Sequence, residues 1–396
     1  MEPQIRKENG NGTHKIMAPF AVPTSAPKPN HRFVKIPSQF IKPASLSLDL
    51  SSVITPAKMN QILAAKKMCF HAVGDTGGIN GTETQDAIAK QMEEQVVQST
   101  GSIPAFLYHL GDVVYYNGVS TQYSPQFYEP YQTYPNPILA IPGNHDCDTQ
   151  TLKGDPADNE VSLFGFMTNF CDPSPHYGPF SSYRMTMNQP WPYWVLNTPY
   201  ATLIGLFSNV DGSFDAVSDK ARTQFSWLVA QLKSAPTNKC LILSAHHPCF
   251  SLDTTHGGYP IILSDLDEAF KKSGRKPDLV LSGHVHNYQR FTRTLSKTHI
   301  PYVIAGAGGF ANQQRGLHKI QKDPKGNLIK TPFQTTVKGL VLEAYNQESP
   351  GFLNIEVDPQ FIIGEYYINN FTGAQPAATP ADRWKYDWTL KKLVNF

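Results

Sequence analysis

No apolar run in this sequence approaches the roughly 18 residues that a membrane-crossing helix needs, so no span is expected. The first twenty residues, MEPQIRKENGNGTHKIMAPF, lack the apolar centre of a secretory leader, which makes a cytoplasmic location the default expectation. Neither sign of charge is in excess, since 34 basic and 32 acidic side chains leave a formal +2. That balance argues against a protein held on nucleic acid by bulk electrostatics. No basic cluster with interleaved aromatics offers a local alternative. A small anionic substrate stays possible, because local chemistry rather than net charge holds one. Cysteine is scarce as well. Cys69, Cys147, Cys171, Cys240 and Cys249 are odd in number and unevenly spaced, with no C-x-x-C pair. Free thiols fit this pattern better than a disulfide framework. Internal repeats are absent, and nothing in the sequence sets an oligomeric state. N-x-T triplets at Asn11, Asn80 and Asn370 matter only along a secretory route.

What the chain does have is apolar substance: 40% of its 396 residues are hydrophobic and only 17% charged, enough for a sizeable core. Residues 1–60 are proline-rich and aperiodic, an extended arm. Residues 61–372 show no linker and read as one domain. Residues 373–396, with Trp384, Tyr386 and Trp388, are expected to pack back on it, since large aromatics bury area. Within the domain, MCFHAVGD, AFLYHLGD, PILAIPGNHD, CLILSAHHP and LVLSGHVH are short apolar runs suited to strands covered on both faces. Thr82 and Gln85 form a candidate capping box before a helix that turns Ile88, Met92 and Val96 to one side. A second helix is predicted from near Ser218, with Phe225, Leu228, Val229 and Leu232 inward. A third is predicted after Ser264, with Leu266, Ala269 and Phe270 inward and a stop at Gly274. YRMTMNQ, YWVLN and ATLIGLF read as antiparallel strands, and PYVIAGAGG, GLVLEAY, FLNIEV and FIIGEYYI further on are again strand-like. The expected fold class is α/β: a four-layer α-β-β-α sandwich of two mixed sheets flanked by helices.

The five apolar runs end on GDTGG (Asp75), GDVVYYNG (Asp112, Tyr115), GNHD (Asn144, His145), HHP (His246) and GHVH (His284, His286). Each ending alone is an ordinary turn or a structural histidine. Five together, with few Lys or Arg beside them, bring oxygen and imidazole donors to one sheet edge, where α/β folds hold ligands. Two nearby cations need a shared anionic ligand, which a carboxylate supplies. Asn adds a neutral oxygen, and imidazole suits Fe and Zn. Glycines 74, 111, 143 and 283 allow the sharp turn before each donor.

The ordered set GD, GDxxY, GNHD, HxP and GHVH resembles the calcineurin-like metallophosphoesterases, and within them most resembles a short, single-domain purple acid phosphatase. Most of that superfamily has D-x-H in the first motif. Gly77 stands at that His here, and the purple acid phosphatases likewise use a tyrosine three residues after the second-motif aspartate, which is Tyr115. The resemblance implies two metal ions. Fe(III) would sit on Asp75, Asp112, Tyr115 and His286, while Asp112 bridges to a divalent Fe, Zn or Mn ion on Asn144, His246 and His284. It selects His246 over His247, which is left as supporting or structural, and it makes Tyr116 a packing residue.

The implied activity is acid-phosphatase hydrolysis of a small phosphorylated substrate, a monoester, by a hydroxide made from bound water. His145, and less directly His256, resemble the family's substrate-facing histidines, and a histidine acid points to an optimum below neutrality. Phosphodiesterase activity on the same scaffold is the alternative, followed by a non-catalytic metal-binding scaffold. Many purple acid phosphatases are exported, so the resemblance keeps secretion open against the cytoplasmic default.

Overall fold

The computed structural model of the protein describes residue 19 and residues 35–98, 102–147, 160–178, 182–215, 219–369 and 379–396. Asn11, Asn370 and most of the proline-rich arm lie outside the described residues. In chain order the elements are β1 (Ser47–Asp49), α1 (Pro56–Ala65), β2 (Met68–Val73), α2 (Glu83–Gln98), β3 (Pro104–His109), β4 (Ile138–Ala140) and α3 (Phe164–Phe170). There follow β5 (Trp194–Asn197), β6 (Ala201–Leu206), α4 (Thr223–Ser234), β7 (Cys240–Ala245), α5 (Pro260–Ser273) and β8 (Leu279–Ser282). The remainder is β9 (Tyr288–Leu295), β10 (Thr298–Ala305), β11 (Phe333–Gln334), β12 (Leu340–Asn346), β13 (Gly351–Val357), β14 (Phe361–Ile368), β15 (Asp382–Asp387) and β16 (Lys392–Val394).

Nine strands form one sheet in the order β1-β5-β6-β7-β8-β10-β9-β12-β11, and seven form the other as β16-β15-β14-β13-β2-β3-β4. Both are mixed. Strands β2, β3 and β4 are parallel, as are β6, β7, β8 and β10, with antiparallel neighbours outside them. Side chains alternate by the period of two that a pleat imposes. Phe70 and Ala72 of β2 meet Ile242 of β7 and Leu281 of β8 between the sheets. Leu241, Leu243 and Val280 turn outward onto Phe225, Leu228, Leu266 and Phe270 of α4 and α5. On the far side Val73, Leu107 and Ala140 pack with Ile88 and Met92 of α2 and Phe166 of α3. These contacts make the four-layer α-β-β-α sandwich, whose central strands are buried throughout and mostly apolar because both faces are covered.

Several local expectations need correction. Gln85 makes no capping box: it is buried, and its Nε2 donates to the Gln126 carbonyl at 2.6 Å, while Thr82 bonds Asp86 instead. YRMTMNQ is not a strand; among the described residues its ladder pairing is an isolated Cys171–Asn188 bridge, and Arg184 donates from it to the carbonyls of Tyr131 and Asn136. Helix α4 starts at Thr223 rather than near Ser218, and α5 starts at Pro260, ahead of Ser264. Val229 is only partly buried. All five cysteines are free and buried.

The C-terminal segment is bound by packing more than by its edge strands. Trp384, Tyr386 and Trp388 are buried in the inter-sheet core. Each such side chain contributes roughly 1.5–3 kcal/mol, against about 0.2–1 kcal/mol for a cross-strand pair. At the other terminus, the Pro19 carbonyl accepts from the backbone N–H groups of Ser251 and Gly258, at 3.0 and 3.2 Å. That closes the base of a loop narrowed by the Leu252–Gly257 bridge.

Candidate metal centre

The site forms where the carboxyl ends of β2, β3 and β4 from one sheet face those of β7 and β8 from the other. Asp75, Asp112 and Asn144 follow β2, β3 and β4 within a few residues, and His246 directly follows β7. His284 and His286 share the loop after β8. Asp75, Asp112 and His284 adopt left-handed backbone, with φ of 58°, 52° and 68°. Such conformations cost about 1–3 kcal/mol each away from glycine and persist where the surroundings over-determine them. Here the loops are stitched together: Asp75 N donates to Gly111 O at 2.9 Å, Gly283 N to His246 O at 3.0 Å and Gly74 N to Ala305 O at 2.9 Å. Gly143 is required by space, because a Cβ there would collide with the Asp112 carboxylate and backbone nitrogen.

Two groups of donors result. In one, the Tyr115 hydroxyl lies 3.2 Å from Asp75 Oδ1 and 3.3 Å from His286 Nε2. In the other, Asn144 Oδ1 lies 3.1 Å from His246 Nε2 and 2.9 Å from His284 Nδ1. Asp112 belongs with both, its Oδ2 being 3.3 Å from His246 Nε2, and its charge acts on Tyr115. Asp112, His246 and His284 each place a ligand atom within 4.8 Å of the others.

The donor chemistry fits a cation in this pocket. His246 Nδ1 donates to the Leu110 carbonyl at 2.8 Å, which leaves Nε2 of a neutral ring with only a lone pair. That lone pair faces two further acceptors, Asp112 Oδ2 and Asn144 Oδ1. With no cation between them the ring must hold a second proton; although burial opposes it, the Asp112 carboxylate pushes its pKa up to about 9. Burial and the nearby Asp112 charge raise Asp75 well above the carboxylate range. Tyr115 is likewise held well above its ordinary value by burial and by Asp112 and Asp75. His284 and His286 are kept neutral by burial and by neighbouring imidazoles. Buried acceptors crowded together without Lys or Arg partners are what cations would neutralise.

Supporting contacts complete the pocket, and sequence reasoning missed most of them. Asp146, the last residue of GNHD, accepts from the backbone N–H of Val113, Val114 and Gly143 at 3.0, 3.2 and 2.7 Å, fixing the loops that carry Asp112 and Asn144. Gln126 clamps Tyr115 by bonding both its N–H and its carbonyl, at 2.9 and 2.7 Å. Tyr259 places its hydroxyl 2.8 Å from His284 Nε2. His247 is a support: Ser208 Oγ lies 2.8 Å from its Nδ1, and its ring packs 4.3 Å from that of His284. His318 stacks on His286 at 4.4 Å. Of these, Asp146 and His247 belong to motifs already singled out, and only His247 was weighed there as a support.

His145 donates through its backbone N–H to Asp112 Oδ1 at 2.8 Å and through Nδ1 to the Tyr116 carbonyl at 2.8 Å. His256 lies at the rim, its ring 4.7 Å from His284 and 5.0 Å from His318. Burial and His318 push its pKa down to about 4. Tyr116 packs edge-on against Tyr115 and accepts from Asn80 Nδ2 at 3.3 Å.

Fold and pocket together define a metal-binding α/β sandwich with its donors at the meeting edge of two sheets. Residues 68–288, more than half of the chain, match the family model of the calcineurin-like phosphoesterases, and the chain belongs to that family of metal-dependent phosphoester hydrolases with dinuclear centres. Among solved structures it is similar to a purple acid phosphatase from yellow lupin (Lupinus luteus) seeds, at 16% identity and a TM-score of 0.54 over 81% of this chain and 54% of that one. The chain thus spans about half the length of the lupin enzyme. It is also similar to the anchor in the inner membrane complex of Plasmodium, at 13% identity and a TM-score of 0.53 over 80% and 89% of the two chains. A third likeness is to PhoD, at 13% identity and a TM-score of 0.53 over 83% and 71%. At these identities the likeness is one of fold. No curated protein matches the sequence. Among the described residues no helix is long and apolar enough to cross a membrane.

Proposed function

We propose that the chain hydrolyses phosphate monoesters at acidic pH in the manner of a purple acid phosphatase. Fe(III) would be held by Asp75, Asp112, Tyr115 and His286, and a divalent Fe, Zn or Mn ion by Asp112, Asn144, His246 and His284. The observation that carries this reading is the pairing of Tyr115 with Gly77. Tyr115 is buried with its hydroxyl between Asp75 and His286. Its ring fills the space beside Gly77, where an added Cβ would stand 2.8 Å from Tyr115 Cδ2 and 2.6 Å from Gln126 Oε1. With Val114 Cα also 2.9 Å from that Cβ, the position has no room for a histidine, and the phenol stands where an imidazole donor would otherwise serve. A phenolate is a hard anionic ligand and favours a trivalent ion.

Two cations bound here would supply Lewis acidity toward phosphoryl oxygens and lower the pKa of a water molecule. The chain's own residues do the rest. Asp112 offers one oxygen to the pocket while His145 N–H holds the other. Asn144 adds an oxygen without adding charge. His145 spends Nδ1 on the Tyr116 carbonyl, which frees Nε2 to protonate a leaving alcohol. His256 is the second substrate-facing histidine, contributing hydrogen bonding at the rim.

The test is hydrolysis of a chromogenic monoester against its matching diester, from about pH 4 to about pH 9, on metal-intact protein, with iron measured in parallel. Monoester preference, an acidic optimum and bound iron are expected. Diester preference near neutrality would overturn the proposal and leave the family assignment in place.

A further inference from the structure

The loop leaving β10 is bonded to the metal pocket, then runs outward to its rim. Gly308 N donates to Gly74 O at 3.1 Å and Phe310 N to Asp75 O at 3.0 Å. Phe310 stacks on Tyr115 at 3.9 Å between ring centres and packs edge-on against His286 at 4.8 Å, so it walls one side of the pocket. On the outer side of this wall sits Arg315, its guanidinium carbon 5.3 Å from the Phe310 ring centre and 5.7 Å from that of Tyr116. Cation–π contact of this kind holds a guanidinium in place without spending its N–H donors.

Arg315 is exceptional among the described arginines. Arg222, Arg290, Arg293 and Arg383 each pair with a carboxylate, and Arg184 and Arg275 donate to backbone carbonyls. Among the described residues, Arg315 alone has a guanidinium with neither an ion pair nor a hydrogen bond, and it is exposed. Its backbone is nevertheless built. Asn312 Oδ1 accepts from Gln314 N and Arg315 N, both at 3.0 Å, while Asn312 O accepts from Gly316 N at 2.8 Å. Ala307, Ala311 and Leu317 form a small apolar plug in the same loop. A positioned cation with five free donors, one aromatic ring beyond Tyr115, is an anion subsite adjoining the metal pocket.

We propose that Arg315 recognises a second phosphate carried on the leaving group, so that the preferred substrate class is a small, doubly phosphorylated molecule. This rests on the monoesterase reading above. Phe310 separates Arg315 from Tyr115, so the guanidinium serves the distal phosphate while the metal pocket takes the one that is cleaved.

The test compares fructose 1,6-bisphosphate with fructose 6-phosphate on the metal-loaded full chain, using wild type, Arg315→Gln and Arg315→Lys. Wild type is expected to favour the bisphosphate in kcat/KM. Arg315→Gln should lower kcat/KM for the bisphosphate about tenfold, chiefly through KM, as loss of a charged hydrogen-bond partner predicts. Fructose 6-phosphate should change less than about twofold, Lys should retain part of the preference, and added salt should weaken it. Equal effects of Arg315→Gln on both sugars, or none on either, would overturn the proposal. If neither sugar is hydrolysed, the chromogenic monoester decides whether the monoesterase reading fails, and calorimetric titration of the same proteins with both sugars decides the subsite. Tighter bisphosphate binding that is lost in Arg315→Gln supports it, and equal binding of both sugars by wild type overturns it.

Discussion

The Asp75–Tyr115–His286 side of the pocket and the Asn144–His246–His284 side arise at the same edge of the fold with opposite chemistry. The first offers a carboxylate and a phenol with one imidazole; the second offers only neutral donors. Asp112 stands between them as the shared anion. His284 and His286 are two residues apart, yet their nitrogens reach different sides, Asn144 for one and Tyr115 for the other. The left-handed backbone at His284, with φ of 68°, and buried Val285 turn the two imidazoles apart. Backbone conformation rather than residue choice thus divides the donors of one short loop between the two sides of the pocket. In the proposed reading the harder ion would take the anionic side.

Removal of the anion common to both sides has the largest expected effect. Asp112→Asn is expected to lower kcat/KM on the order of 10³-fold, since it strips the common charge from a buried site, and metal analysis should show both ions reduced. Tyr115→Phe tests the asymmetry itself. It should lose iron while keeping the divalent ion, with activity down on the order of 10²-fold or more; retention of trivalent iron would erase the distinction between the sides. His145→Ala should lower turnover about 10²-fold, the lower end for a general acid, with both metals bound. Metal loss in that variant would move His145 from substrate to ligand support. Asp146→Asn should weaken metal binding about 10- to 100-fold on both sides, because it releases the loops of Asp112 and Asn144 together.

The smallest effect contrasts site imidazoles with structural ones. His71, buried in β2 between Tyr134 and Gln95, has its pKa pushed by burial from its ordinary 6.5 down to about 3. The unfolded chain therefore binds a proton that the native ring refuses between those values. Its contribution to stability is full above about pH 6.5 and is lost as pH falls toward about 3. Thermal melts of His71→Gln across that window should show a shallower acid-side decline than wild type; an unchanged slope would place the acid sensitivity elsewhere.

Much of the fold was legible because its central strands are covered on both faces. MCFHAV and CLILSA are apolar but for His71 and Ser244, and each stops at a glycine or histidine where the chain must turn. The donors follow directly, so they could be read in order. YRMTMNQ misled because alternating side chains imitate a strand; in the fold Arg184 there caps the carbonyls of Tyr131 and Asn136, and ladder pairing reduces to a single bridge. Gln85 misled for a related reason: Gln126, a distant residue, competes for the amide that would cap the helix. Tyr259 and His318 support metal-side histidines from loops with no motif of their own, so local pattern could not find them.

Which donors exist, in what order, and that each follows a strand can be read along the chain alone. Those are local consequences of burial and of turns that glycine permits. The division of donors between two sides, the crowding of Gly77 by Tyr115, Gln126 and Val114, and the placing of Arg315 beyond Phe310 come from the packed fold. Each depends on atoms brought together from distant parts of the chain, and the direction of a side chain across a sheet edge is set by packing that no local pattern encodes.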